Sequence, residues 1–231
     1  MGSAHAQRFS DGDRTEIERI IKEYLISHPE VLAEAMVEAE KRQTVAETEK
    51  RRAGVTEHSQ ALFNSSHQVT IGNLQGDVTM VEFFDYNCGY CKRALADMMD
   101  MMKSDPKLKV VLKEFPVLGP GSVEAAQVAV AVRMQDKTGK KYLEFHQKLL
   151  GGRGAADKAR ALAAARDAGL DMAKIEKDMS SDEVRATIEE TMRLAEALGI
   201  NGTPSYVIGP EVVIGAVGAD ALKAKVKSAR N

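Results

Sequence analysis

The sequence predicts an α/β protein that carries an all-helical insertion and is preceded by a helical N-terminal extension. A short apolar run, Val78–Phe84, leads into a C-x-x-C motif and then into a helical pattern. Residues 122–198 are almost wholly helical in pattern and lie between two stretches that combine strand and helix. Residues 13–60 are charged and helical in pattern, with a narrow apolar stripe. These three observations separate an N-terminal extension, an α/β domain and a helical insertion.

The C-x-x-C motif holds Cys88 and Cys91, which are the only cysteines in the chain. β-Branched and aromatic residues in Val78–Phe84 indicate a buried strand, and Leu95, Met98, Met99 and Met102 indicate a helix after the motif. The motif therefore lies at a strand-to-helix junction, where the helix N terminus stabilises an anion. A thiolate is the nucleophile of thiol–disulfide exchange, so Cys88 is the predicted attacking thiol. Cys91, one turn later, is the predicted resolving thiol.

Two other interpretations of the cysteine pair are weaker. Structural zinc needs four ligands, and the sequence has no second cysteine pair and no histidine near the motif. An inert disulfide would close too short a loop to stabilise the fold much. A redox-active pair is favoured, because a strand followed by C-x-x-C and a helix is the context of redox motifs.

The segment EFFDYNCGYCKRAL resembles the active-site segment of DsbA-like thiol:disulfide oxidoreductases, which have the thioredoxin fold. GTPSY, which contains Thr203 and Pro204, is similar to that family's cis-proline loop. FPVLGPGSVEAAQVAVAV resembles the start of its inserted helical domain. The resemblance covers about residue 72 to the C terminus. It implies a thioredoxin fold with a helical insertion at about residues 120–198.

The resemblance also assigns expected roles to residues around the cysteines. It implies that Pro204 is cis and that Thr203 and Pro204 bind an extended substrate strand. It implies that Glu82 is a buried proton-transfer group, although a solvent-exposed strand position fits the sequence equally well. Gly89 and Tyr90 form the dipeptide that tunes the redox potential. Because the Pro-His dipeptide of DsbA-type oxidases is absent, we expect a weaker oxidant.

The N-terminal region is predicted to comprise a disordered tail at residues 1–12 and a helical oligomerisation stalk with a charged linker at residues 13–60. The catalytic domain follows at residues 61–231. Breaks in its helical insertion are predicted at Gly139, at residues 151–154 and at Gly169, and the domain is predicted to end with a strand at residues 212–217 and a helix at residues 219–229. Asp13 or Thr15 is expected to cap the first helix, and Pro29 to separate it from a second. Apolar residues such as Ile21 and Met36 need cover, either from the catalytic domain or from other copies of the chain. We favour self-association.

The segment ISHPEVLAEAM resembles the N-terminal extension of the oligomeric suppressor-of-copper-sensitivity C branch of the DsbA-like family. This resemblance implies a trimer, whereas the apolar pattern alone sets no oligomer number. It also implies a periplasmic location, which fits disulfide chemistry, although no signal peptide is visible in the sequence. A net charge of −2 indicates no nucleic-acid partner.

The favoured function is an oligomeric protein disulfide isomerase that acts on misfolded, disulfide-containing exported proteins. A membrane thiol reductase would keep its cysteines reduced. The alternatives are a monomeric dithiol oxidase and a copper(I)-binding copper-tolerance protein that uses Cys88 and Cys91 as soft ligands. We expect no resident cofactor and no other metal. Four histidines lack ligand spacing and are interpreted as surface or capping residues: His28, His58, His67 and His146.

Overall fold

A computed structural model describes residues 9–136 and 138–230. The chain divides into two compact units, with the boundary between Glu49 and Lys50. Among the described residues, no helix has the length and hydropathy that a membrane crossing requires. The predicted domain boundary between residues 60 and 61 stays a prediction.

Two helices account for most of the N-terminal unit. Helix α1 spans Asp11–Ser27, and helix α2 spans Pro29–Glu57 and extends into the second unit. The break at Pro29 confirms the predicted boundary, because the residue before proline avoids the helical conformation. No residue of α1 is buried within the chain, so its apolar side chains, including Ile20 and Ile21, lie exposed.

The predicted start of α1 is wrong. Ser10 is the N-cap, and its side chain accepts a hydrogen bond from the backbone N–H of Asp13. The Asp13 carboxylate accepts in turn from the backbone N–H of Ser10, which completes a capping box. Residues 11 and 12 are therefore helical, in contrast to the predicted tail. Residues 1–8 of that tail lie outside the described residues.

The second unit is built on a mixed five-stranded sheet with the order β1-β3-β2-β4-β5. Its strands are β1 (Val69–Gly72), β2 (Val78–Phe84), β3 (Leu108–Glu114), β4 (Ser205–Ile208) and β5 (Glu211–Ile214). Strands β2 and β3 are parallel, and the other pairings are antiparallel. The predicted β2 is confirmed at both ends. The predicted last strand, residues 212–217, was too long, since it ends before Gly215 at a φ of 88°.

Helices cover the sheet and form the insertion. They are α3 (Ser59–Phe63), α4 (Gly89–Ser104), α5 (Pro120–Gln135), α6 (Lys140–Leu150), α7 (Lys158–Asp167), α8 (Met172–Asp178), α9 (Asp182–Ala197) and α10 (Ala219–Ala229). The predicted bounds of α10 are confirmed. The break between α8 and α9 was missed, because no glycine or proline marks it and Ser181 starts α9 as its N-cap.

Both faces of the central strands are buried. Met80, Phe84 and Val110 belong to a core cluster that includes residues of α4, α5, α6 and α10. Val81, Phe83 and Val111 belong to a second cluster, with Leu62 and Leu198. Strand β2 therefore has no solvent face. The segment that carries the cysteines follows directly from this buried strand.

Candidate active site

Cys88 is the N-cap residue of α4, and Cys91 lies in the first turn of the same helix. The backbone N–H of Cys91 donates to the Cys88 sulfur over 3.4 Å. Both residues are free thiols, with exposures of 5% for Cys88 and 0% for Cys91. Burial raises the pKa of the Cys91 thiol well above its ordinary value, and the charge of Glu82 raises it further. The two thiols therefore differ in environment, and Cys88 receives the stabilisation of the helix N terminus.

The loop before β4 lies against Cys88. The Cys88 thiol donates to the backbone carbonyl of Thr203 over 3.2 Å. The peptide bond between Thr203 and Pro204 is cis, as the resemblance implied. Pro204 is buried and Thr203 is half-buried. The structure thus brings together the four residues that the sequence analysis placed in two distant motifs.

Glu82 lies on β2 and is only 2% exposed. Of the two positions that the sequence allowed, buried and solvent-exposed, the structure shows the buried one. Burial, together with the charge of Asp97, raises its pKa to about 8. Glu82 pairs in register with Tyr206 of β4, and the pKa of Tyr206 is raised by burial and by the charges of Glu82 and Cys91. Glu82 is therefore a neutral acid over much of the physiological range, near enough to Cys91 to influence its proton. Sequence reasoning did not single out Tyr206.

Gly89 and Tyr90 are the exposed part of the motif. A Cβ atom at Gly89 would meet nothing within 4 Å. Tyr90 is 59% exposed, and the Arg93 guanidinium lies 4.5 Å from its ring centroid. The exposed part of the motif therefore presents an aromatic ring and a positive charge to solvent.

A second buried polar cluster lies at the end of β3, and one of its members corrects a prediction. His146 was interpreted as a surface or capping residue, but it is 1% exposed, and burial lowers its pKa to about 3. Its Nδ1 lies 3.2 Å from the Tyr86 hydroxyl, which is also within hydrogen-bonding distance of Glu114 and Tyr142. Burial raises the pKa of Glu114 to about 8. Because α6 brings His146 and Tyr142 to this cluster, spacing along the chain gave no signal for it.

Within residues 9–136 and 138–230, no group of three or more histidine, cysteine, aspartate or glutamate side chains is arranged to hold a metal ion. Met98 and Met101 of α4 are buried in the same core cluster as the two cysteines, which is the packing role that methionine usually has. Copper(I) binding by the two thiols stays a prediction.

Residues 79–227 match the family model of the DSBA-like thioredoxin domain. Residues 13–45 match the model of the copper resistance protein ScsC N-terminal domain. The first match covers more than half of the chain, and the sheet, the cysteine pair and the helical insertion agree with it. The chain belongs to the DsbA-like thioredoxin domain family, and it also carries the N-terminal domain that the second model describes.

Solved structures agree with this assignment. A thioredoxin-like oxidoreductase from Silicibacter pomeroyi is 44% identical, with a TM-score of 0.70, over 74% of this chain and 96% of that chain. A linker-deletion variant of Proteus mirabilis ScsC is 27% identical, with a TM-score of 0.72, over 97% of this chain and 98% of that chain. A periplasmic thioredoxin-like protein from Salmonella enterica is 30% identical, with a TM-score of 0.66, over 74% and 95% of the two chains.

Curated relatives are matched over part of their length. The thiol:disulfide interchange protein DsbA of Bordetella pertussis is 28% identical over 58% of this chain, and the chain spans 64% of that protein. The Na(+)/H(+) antiporter NhaA 1 of Salinispora arenicola is 26% identical over 68% of this chain, which spans 24% of the antiporter.

Proposed function

We propose that this protein is a thiol:disulfide oxidoreductase in which Cys88 attacks a client disulfide and Cys91 resolves the mixed disulfide. The observation that carries the proposal is the position of Cys88 at the N-cap of α4, beside the Thr203 carbonyl and one turn before Cys91. A thiolate at Cys88 is stabilised by the helix N terminus. The exposed Gly89 and Tyr90 leave one side of the pair open to a client.

Proton movement at the second thiol is assigned to Glu82. Cys91 must lose its proton before it attacks, and burial makes that loss unfavourable. A carboxyl with a pKa of about 8 is matched to the transfer of a thiol proton near neutral pH. The ionised fraction of Glu82, which grows as the pH approaches 8, accepts the proton as Cys91 attacks, and water returns this proton to solvent in a later step. The loop of Thr203 and Pro204 binds the client backbone beside Cys88.

We further propose that the protein is an oligomeric isomerase of exported, disulfide-containing proteins, with a trimer favoured. The exposed apolar side chains of α1 and α2 support this proposal. Ile20 and Ile21 are each 52% exposed, and Leu32 and Met36 are 53% and 59% exposed. Because about half of each side chain is still exposed, completing its burial between copies contributes roughly 1 kcal/mol. Several active sites in one assembly raise the effective concentration of thiols around one client.

The isomerase proposal requires a reduced Cys88, and therefore a membrane thiol reductase in the same compartment. A periplasmic location is supported by the chemistry and by the periplasmic relative from Salmonella enterica. The alternative is a monomeric dithiol oxidase that is reoxidised after each reaction. Only the isomerase depends on self-association.

The test combines solution mass with refolding of a scrambled-disulfide substrate. The proteins are the full chain, an Ile20→Glu/Ile21→Glu variant and a truncation that begins at Lys50, which keeps Val55 in the core of the second unit. We expect the full chain to be an oligomer with isomerase activity and both altered proteins to be monomers without it. A monomeric full chain with little isomerase activity would favour the dithiol oxidase. Isomerase activity that the altered proteins retain would show that isomerisation does not depend on self-association.

Copper(I) binding is the second candidate, because the N-terminal match is to a copper resistance family model. The measurement is copper(I) competition with a chelator by the reduced protein. Stoichiometric binding that is lost in Cys88→Ser would support this candidate, and binding that an ordinary chelator removes would count against it.

A further inference from the structure

The buried carboxylate of Asp85 links the turn between β2 and Cys88 to the start of the insertion through hydrogen bonds. Asp85 is 2% exposed, and four hydrogen bonds converge on its two side-chain oxygens. The donors are the backbone N–H of Asn87 at 2.7 Å, of Val117 at 2.9 Å and of Leu118 at 3.0 Å, and the Ser122 hydroxyl at 2.7 Å. Hydrogen bonds to a charged acceptor are stronger than neutral ones. The carboxylate thus joins three segments of chain at one point.

The backbone of Asp85 reaches both cysteines. Its carbonyl accepts from the backbone N–H of Cys88 over 3.0 Å. At Cys91, burial raises the pKa of the thiol, and a backbone hydrogen bond from Asp85 offsets a part of that rise. Asp85 is therefore hydrogen-bonded to both cysteines, so a change in its position acts on both.

Asn87 forms a second set of hydrogen bonds between the same turn and the insertion. Its side-chain amide donates to the Ala156 carbonyl over 2.8 Å and to the Ser122 hydroxyl over 3.0 Å. Its side-chain oxygen accepts from the backbone N–H of Ala156 over 2.7 Å. A Cβ atom at Gly121 would lie 3.0 Å from the Ala156 carbonyl, so little room is left between these segments. The insertion holds the turn through a fully paired polar network.

We propose that Asp85 and Asn87 are positioning residues for the resolving step, through which the helical insertion sets the geometry between Cys88 and Cys91. This inference rests on the proposed function. In that step the Cys91 thiolate attacks the Cys88 sulfur of the mixed disulfide. The bond between the two protein sulfurs forms, and the bond from Cys88 to the client sulfur breaks. The client sulfur leaves with the electron pair and takes up a proton, so the client is reduced and the protein is oxidised.

The first step, attack of Cys88 on the client disulfide, depends less on the hydrogen-bond network of Asp85 and Asn87. Attack by Cys88 needs a thiolate at the helix N terminus and an accessible client, neither of which requires Cys91 to be aligned. The second step needs three sulfurs in line, and one of them is buried in the first turn of α4. Loosening the turn therefore slows resolution more than attack.

The experiment measures both steps with oxidised glutathione as the probe. The reduced full-length protein is mixed with the probe, quenched at intervals with acid and analysed by mass spectrometry, so that the mixed disulfide and the internal disulfide are counted separately. In Asp85→Ala we expect resolution to slow by about tenfold or more and attack to change much less. Asp85→Asn keeps the shape and some of the hydrogen bonds, and should slow resolution by a smaller factor.

Asp136→Ala is the matched control. The Asp136 carboxylate also accepts from backbone N–H groups, those of Thr138 and Tyr142, but it lies in the insertion away from the cysteines. Its loss destabilises the insertion and should leave the ratio of the two rate constants unchanged. An equal change of this ratio in the control would overturn the inference.

A second variant keeps the test decisive if Asp85→Ala does not fold. Ser122→Ala removes one hydrogen bond from Asp85 and one from Asn87, and should slow resolution selectively. An unchanged ratio in both Asp85→Asn and Ser122→Ala would overturn the inference and leave the proposed function standing. Failure of the proposed function is distinct, since the unaltered protein would then form no mixed disulfide at Cys88.

Discussion

The buried carboxyl of Glu82 should make the stability of the protein depend on pH. Burial and the charge of Asp97 raise the pKa of Glu82 from 4.5 to about 8 in the folded protein. The unfolded chain loses this proton near pH 4.5, whereas the folded protein keeps it until about pH 8. Because the unfolded state binds fewer protons between these values, the free energy of unfolding falls as the pH rises through that window.

The magnitude follows from the size of the pKa change. Each pKa unit corresponds to about 1.4 kcal/mol, so the stability lost between pH 4.5 and 8 amounts to about 4–5 kcal/mol. Glu82 lies in the core, so water screens little of this effect. Glu82→Gln removes the charge and keeps the shape. It should match the unaltered protein near pH 4 and exceed its stability by several kcal/mol near pH 8.

The assay is urea unfolding of the reduced protein at a series of pH values. Glu189→Gln is the control, because the Glu189 side chain is 57% exposed. Glu114 contributes its own pH dependence to all three proteins, so the difference between Glu82→Gln and the unaltered protein isolates Glu82. Parallel stability curves for these two proteins would refute the reasoning, since they would mean that Glu82 has an ordinary pKa when folded.

Three further predictions concern the other buried polar groups. Glu114→Gln should also flatten the fall in stability between pH 4.5 and about 8, measured by the same urea titration, because burial raises the pKa of Glu114 in the same way. The His146 imidazole should stay neutral from about pH 5 to 8, so a titration of its ring by NMR across that range would contradict the assigned pKa of about 3. Lys113 is fully buried and paired with Glu190 at 3.2 Å, so Lys113→Met should cost about 3 kcal/mol in thermal or urea unfolding. Adding Glu190→Gln should restore part of the lost stability, because it removes the charge that Lys113→Met leaves unpaired. If no stability is restored, the loss comes from altered packing and not from the unpaired charge.

The sequence carried enough information for the parts of the fold that have a strong local signal. The apolar run of β2 ends at the cysteines, and α10 has a regular apolar stripe, so both were predicted with their observed bounds. The cysteine pair and the Thr203–Pro204 loop were found by motif. The start of α1 was placed too late, because the first apolar residue of the helix is Ile17, almost two turns after the Ser10 cap.

The parts that were missed depend on contacts between distant segments. Glu82 remained undecided because β2 is buried on both faces, so strict alternation does not apply to it. His146 occupies a surface-like position in the sequence and becomes buried only when α6 packs on Phe84 and Tyr86. Asp85 joins segments that are more than 30 residues apart, as its hydrogen bonds to Val117 and Leu118 show. Such networks require tertiary structure to be recognised.

The most direct test of the division of labour between the two cysteines is to trap a client with each single variant. Reduced Cys91→Ser and Cys88→Ser are each mixed with a disulfide-containing protein, and the products are separated without reductant and analysed by peptide mass mapping. We predict that Cys91→Ser accumulates a mixed disulfide at Cys88, because attack proceeds and resolution does not. Cys88→Ser should trap almost nothing, since Cys91 is buried and holds its proton. A stable adduct at Cys91 in Cys88→Ser, with none in Cys91→Ser, would contradict the assignment.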